Sequence, residues 1–327
     1  MSVKTNVRLL WVLALLWHPW AVVEARASLP EGLVEQTLKL PSGPRYFLKF
    51  IPRQVQPKPP MVIVLHGGGQ SMRKIFRKRR TDVLRWLELA EQNGFILVAP
   101  NGSHRKNGDP SGDKQNWNDL RNSGEVNPQA DDVAFIAKLI ELMVQDHKID
   151  GKRVYVTGAS NGGMMTFRLL VESPQKFAAG AAFIANMPAA EVAKPDVPTP
   201  ILIANGTEDP LVPYQGGTVA KNRGEVRSTE ATITYWLTAN NIKSAGKTTL
   251  LPDRDPDDGC RLHRTDYVNA EGKMQVAFIK MVGGGHYIPS FFNKKPGWIL
   301  SWLLGDNRCQ DVEGADLAWE FMSQHQR

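Results

Sequence analysis

Apolar and polar positions along this chain follow two rhythms. Continuous apolar runs of strand length recur at 61–65 (MVIVL), 95–99 (FILVA), 177–185 and 200–204, and Val154-Tyr-Val-Thr adds a β-branched and aromatic run. Such runs predict strands covered on both faces, as in a parallel sheet. Between them, helical spacing predicts helices at 83–92, 133–146 and 225–240, with Val133, Ile136, Ile140 and Met143 on one face of the second. Asp131 and Asp132 read as acids that cap that helix and match its dipole. An edge hairpin is expected at 33–40 and 45–51, a last strand at 274–282, and a closing helix at 298–304. Strands alternating with helices of this length predict an α/β fold: a doubly wound, mostly parallel sheet with right-handed crossovers, in a single domain. One polar segment, 103–129, breaks the rhythm. It is rich in Gly, Asn and Asp and carries Trp117, which fits a wall of a binding cleft.

The first 27 residues do not belong to that pattern. Lys4 and Arg8 precede an apolar stretch at 9–17 (LLWVLALLW), and Ala25-Arg26-Ala27 offers a small-x-small cleavage site. This is the pattern of a signal peptide, and the apolar stretch is too short to span a bilayer. Residues 1–27 are therefore expected to be removed and 28–327 to form the catalytic domain of a secreted or periplasmic protein. Of the net charge of +7, the leader carries +2, and the apolar fraction of 42% is ample for one large core. Arg73, Lys74, Arg77, Lys78, Arg79 and Arg80 form a basic run without interleaved aromatic residues, so a solvated helix face is expected rather than a nucleic-acid site. The chain has two cysteines, Cys260 and Cys309. In an exported protein they are expected to pair, closing a loop of about fifty residues worth roughly 4 kcal/mol. They lack the ligand spacing of a zinc centre.

Chemistry enters at Gly158-Ala-Ser160-Asn-Gly162-Gly163, which lies between a strand signal and a helix signal. Gly-x-Ser-x-Gly in that setting is a nucleophile elbow, a turn so tight that its flanking positions tolerate almost no side chain. A phosphate-cradling loop would need a Gly-Lys-Ser/Thr ending, which is missing. Upstream, His66-Gly67-Gly68-Gly69-Gln70 follows a central strand and leaves backbone N–H groups bare. The N–H of Asn161, next to the nucleophile, and that of Gly68 or Gly69 are the expected oxyanion donors. A serine needs a base, and the base a carboxylate, in the chain order Ser, acid, His. Asp209, just past the 200–204 strand, and His286, in the glycine loop after the last strand, fill those places. His66 belongs to the oxyanion loop, His263 lies in an irregular polar stretch and His325 in the tail, while the acids at 253–258 read as a solvated loop.

The combination of His66-Gly-Gly-Gly-Gln, Asp132-Val-Ala-Phe-Ile, Val154-Tyr-Val-Thr-Gly-Ala-Ser-Asn-Gly-Gly-Met-Met, Gly206-Thr-Glu-Asp-Pro-Leu-Val-Pro-Tyr and Gly-Gly-Gly-His286 resembles the polyhydroxybutyrate depolymerase-like esterases, also called LpqC-like or feruloyl-esterase-like carbohydrate esterases. The resemblance spans roughly residues 40–305. It implies an α/β-hydrolase fold, a Ser160–His286–Asp209 triad, and ester substrates such as polyhydroxyalkanoate oligomers or feruloyl and acetyl esters of polysaccharides. No cofactor, metal, nucleic acid or membrane span is expected. The chain departs from many members in having Gly68 where they carry Cys, and it shows no polyester-binding module. Trp117 and Tyr214 are the candidate cleft walls for substrate. Two other readings remain: a peptidase of prolyl-oligopeptidase type, because Gly-x-Ser-Asn-Gly-Gly also fits that elbow, and a silent binder using the same cleft.

Overall fold

The computed structural model describes residues 28–76, 81–121, 127–292, 299, 304–305 and 307–327. The expected signal peptide, Arg77 to Arg80 of the basic run, and nearly all of the helix expected at 298–304 lie outside them.

The chain opens with an antiparallel hairpin, β1 (Leu33–Leu40) and β2 (Gly43–Phe50). Then come β3 (Met61–Leu65), α1 (Thr81–Asn93), β4 (Ile96–Pro100), α2 (Asp132–His147), β5 (Val154–Ala159), α3 (Asn161–Glu172), β6 (Ala179–Phe183) and β7 (Ile201–Gly206). A two-residue pairing of β8 (Gly217–Thr218) with β9 (Glu225–Val226) precedes α4 (Thr229–Ala239). The described chain ends with β10 (Lys247–Leu250), β11 (Arg261–Val268), β12 (Met274–Val282) and α5 (Gly314–Met322). Ten strands form one sheet in the order β1-β2-β4-β3-β5-β6-β7-β12-β11-β10. The inner six run parallel, and antiparallel strands flank them at both edges.

The apolar runs are continuous because both faces are covered. Met61, Ile63 and Leu65 of β3 point into a core shared with α2, α3 and α4, whereas Val62 and Val64 point into a second core shared with α1 and α5. β4 divides in the same way, Ile96 and Val98 against Leu97 and Ala99. The two-residue side-chain period of a strand feeds both layers at once. By contrast, edge strand β1 is mostly exposed, as a strand with one free side can be.

Several elements differ from the sequence reading. The helix expected at 225–240 starts only at Thr229, because Ser228 caps it by accepting the Ala231 N–H at 3.0 Å, and residues 225–226 pair as strand instead. The stretch around His263 is strand β11 rather than irregular chain. The tail folds into α5, which packs on the sheet and buries Leu317, Ala318 and Phe321. Asp131 does cap α2, accepting the Ala134 N–H at 2.9 Å. Asp132 does not share that role. It is buried and takes Arg45 at 2.6 Å and the Asn118 N–H at 2.9 Å. Arg73, in the described part of the basic run, is paired with Glu35 and lies 3.6 Å from Asp113. No described helix is long and apolar enough to cross a membrane.

Candidate active site

Neighbouring strands deliver the parts of the site in two pairs. β3 and β5 run side by side with Leu65 opposite Gly158, so the 66–70 loop and the elbow leave the sheet together. β7 and β12 run side by side with Gly206 opposite Met281, and they deliver Asp209 and His286.

At the elbow, Ser160 sits at φ 56° and ψ −124°, a conformation that costs of order 1–3 kcal/mol for a residue with a side chain. The glycines around it are required by contact. A Cβ on Gly158 would lie 2.5 Å from the Gly162 carbonyl carbon, one on Gly162 2.6 Å from the His66 oxygen, and one on Gly163 2.7 Å from the Ala185 Cβ. Ser160 is the N-cap of α3, so the positive end of that helix dipole faces the serine. Among the described residues, no acceptor takes the N–H of Asn161 or of Gly68. The N–H of Gly69, the other expected donor, is already given to the Gln115 carbonyl at 2.8 Å and to Asn116 Oδ1 at 3.2 Å. A Cβ at Gly68 would sit 3.3 Å from Asn116 Nδ2 and 3.4 Å from the Asn161 Cβ.

His66 is tied into the 66–70 loop and to Gly102 by its ring nitrogens. Its Nδ1 donates to the Gly67 carbonyl at 2.9 Å, and its Nε2 accepts the Gly102 N–H at 3.0 Å. That pair of bonds requires the neutral ring, and burial pushes its pKa down to about 4. The ring packs on Trp117 at 4.8 Å between centroids.

The acid and base meet. His286 Nδ1 lies 2.6 Å from Asp209 Oδ2, and Asp209 Oδ1 accepts the N–H groups of Leu211 and Val212 at 2.8 and 2.9 Å. The carboxylate is thus fixed from both ends, while neighbouring Glu208 is exposed. Close approach of the two loops depends on Gly206, where a Cβ would fall 2.2 Å from the Gly284 oxygen. Cys260 and Cys309 form a disulfide behind the base. A Cβ on Gly284, two residues before His286, would lie 3.1 Å from the Cys309 sulfur. Of the acids at 253–258, Asp253 and Asp257 are exposed as expected of a solvated loop, whereas Asp258 supports this bridge, accepting the N–H groups of Cys260 at 2.7 Å and Gln310 at 2.6 Å.

The two expected cleft walls are placed elsewhere. Trp117 is 0% exposed, and its indole N–H donates to the His66 carbonyl at 2.9 Å. Tyr214 is 4% exposed and packs in the core of the α4 side. Both aromatic side chains fill space under the site, where a flat ring buries more than a surface position would allow. A cavity instead runs beside the elbow, with Gly67 and Ala159 on one side and Ile75, Val83, Trp86 and Phe183 among its other walls. Sequence reasoning also missed Asp119, which accepts from the Asn161 side chain, and Arg121 and Asn127, which bond Asp119. Their only signal was an acid, a base and an amide inside a polar loop, indistinguishable there from solvated residues.

A strand-elbow-helix turn on a central parallel sheet, with an acid–histidine pair delivered by the second and third strands along from the elbow strand, defines an α/β-hydrolase. The chain belongs to the phospholipase/carboxylesterase family, whose sequence model matches residues 48–232. It is similar to feruloyl esterase B of Thermothelomyces thermophilus, 32% identical over 134 residues, 41% of this chain and 42% of that protein. It is also similar to an acetylxylan esterase of Coprinopsis cinerea, 25% identical over 200 residues, 61% of this chain and 48% of that protein. The chain thus spans about half the length of these curated relatives. Among solved structures, an acetyl xylan esterase from Aspergillus awamori shares the fold, with a TM-score of 0.55 at 16% identity over 89% of this chain and 99% of that one.

Proposed function

We propose that this protein is an exported serine esterase acting on acylated carbohydrate or polyester oligomers through an acyl-enzyme. The Asp209–His286 contact at 2.6 Å, in the same parallel sheet as the strained serine elbow, carries this reading. In it, His286 Nε2 takes the proton of Ser160 Oγ as the oxygen attacks the ester carbonyl. Asp209 holds the Nδ1 proton and so fixes the tautomer that leaves Nε2 free to accept. The Asn161 and Gly68 N–H groups receive the tetrahedral oxyanion, and the α3 dipole adds to them. Collapse expels the alcohol, protonated by His286, and water repeats the sequence on the acyl-serine. The leader and the disulfide support export.

For the acyl group, the cavity beside Gly67 and Ala159 is the space this reading uses. Its walls are mostly apolar, with Asp82, His66 and Thr157 among them, which suits a compact acyl group, and the names of the relatives favour acetyl or feruloyl esters of polysaccharide. Ser160→Ala should abolish turnover of p-nitrophenyl acetate and labelling by a fluorophosphonate, with the melting temperature retained. Undiminished hydrolysis by that variant would refute the assignment. Turnover of acetylated xylan, methyl ferulate and 3-hydroxybutyrate oligomers then ranks the acyl groups. Peptide cleavage outpacing all three would overturn the esterase reading in favour of a peptidase.

A further inference from the structure

Asn161 is held by its side chain as well as by the helix it starts. Its Oδ1 accepts the Trp117 N–H at 2.8 Å, and its Nδ2 donates to the Trp117 carbonyl at 3.0 Å and to Asp119 Oδ2 at 2.6 Å. Asp119 is 0% exposed and is itself gripped. Arg121 reaches it through Nε at 3.0 Å to both oxygens and through Nη2 at 2.7 Å, and Asn127 Nδ2 donates to it at 2.7 Å. Between acid and arginine, Leu120 is forced to φ 71°, a left-handed conformation unfavourable for leucine. The turn therefore holds backbone strain so that Arg121 can fold back on Asp119. Arg121 is also anchored, with Nη1 donating to the Arg223 carbonyl at 2.7 Å.

We propose that Asp119 is a positioning residue for the oxyanion hole, acting through Asn161, and that Arg121 keeps its charge from opposing the reaction. This rests on the serine-esterase reading. The oxyanion donor must sit within about 0.5 Å of its place to act fully. The hydrogen bonds from Trp117 and Asp119 fix the Asn161 side chain and, through it, the direction of its N–H. A bare buried carboxylate there would repel the negative charge that develops on the carbonyl oxygen. Pairing with Arg121 removes that repulsion, while Oδ2 also accepts from Asn161.

Two charge-neutral double variants isolate the hydrogen bond. Asp119→Asn/Arg121→Gln keeps an acceptor for Asn161, whereas Asp119→Ala/Arg121→Gln removes it. Both lose the same charges. With p-nitrophenyl acetate and active-site titration to count competent enzyme, the alanine double should show kcat about tenfold below the asparagine double at equal KM, a fraction of the loss from deleting a donor. Placing Asn161→Ala under both should abolish that gap, because the coupling runs through the Asn161 side chain. Arg121→Gln alone should be slower than Asp119→Asn/Arg121→Gln. Equal kcat in the two doubles, or a gap that survives Asn161→Ala, would overturn the proposal. If the doubles do not fold, Asn161→Ala alone decides: it keeps the backbone N–H, so kcat should fall about tenfold at constant KM, and an unchanged kcat overturns the idea. Wild-type enzyme that turns over ester and loses it in Ser160→Ala, together with such an outcome, sinks this inference alone. Absence of ester turnover in wild type sinks both.

Discussion

Acid should destabilise this protein through His66. In the folded chain the ring is buried and neutral, with its pKa near 4, against 6.5 for an ordinary histidine. Below pH 6.5 the unfolded chain takes up a proton that the folded chain refuses, so the unfolded state binds more protons and stability falls as pH falls. The contribution is complete above the unfolded value and lost progressively down to the folded one. Between pH 7 and 4.5, these two values give a loss of about 2.5 kcal/mol from this one ring. His325 is also buried and pushed down to about 4, so wild type loses more than His66 alone accounts for. The assay is therefore a comparison of urea unfolding at pH 7 and 4.5 for wild type and His66→Asn. The variant starts less stable, having lost the ring against Trp117, but its loss on acidification should be smaller than wild type's by about 2.5 kcal/mol. Equal losses in the two proteins would refute the claim that His66 is held neutral by burial and by its bonds to Gly67 and Gly102.

Two further outcomes concern stability. Replacing Cys260 and Cys309 by Ser should cost about 4 kcal/mol, for a bridge joining residues 49 apart in sequence, and reduction of wild type should lower the melting temperature to match; an unchanged melting temperature on reduction would show that the bridge contributes nothing. Arg45→Met leaves the buried Asp132 carboxylate without its cation and should cost about 3–5 kcal/mol in urea unfolding, most of it recovered in Arg45→Met/Asp132→Asn; equal stability of single and double variants would show that the unpaired charge is not the cause.

The strand β3 and the elbow were legible in the sequence because their signatures are local. Five apolar residues in a row admit few readings, and although the contacts that require glycine at 162 and 163 come from Leu65, His66, Phe183 and Ala185, the glycines at 158, 162 and 163 fall close together around Ser160. Asp209 and His286 were legible through chain order, and the structure brings them to hydrogen-bond distance. What was illegible depends on distant partners. Trp117 could not be told from a cleft wall until its N–H was found on the His66 carbonyl, and Asp132 looked like a cap until Arg45 arrived from β2. β11 was hidden because its exposed and half-buried positions, RLHRTDYV, carry polar residues that read as loop. Asp119 was hidden for the same reason, since nothing in a polar loop marks one acid as buried. That the Gly69 N–H is taken by the Gln115 carbonyl could not be read either, because no spacing along the chain places Gln115 there.

Delivery of the site by two strand pairs has a consequence for the order in which the molecule comes into being. The loop proposed to hold the oxyanion begins at His66, whereas the proposed base, His286, arrives after β12 has joined the sheet beside β7. A nascent chain that has completed the elbow holds a serine with no partner. Parallel strands joined over long separations form late and slowly. On the proposed esterase reading, catalysis would therefore report the completed topology: partial chains would leave esters untouched, and the first turnover would mark the moment the sheet is closed around its last parallel strand.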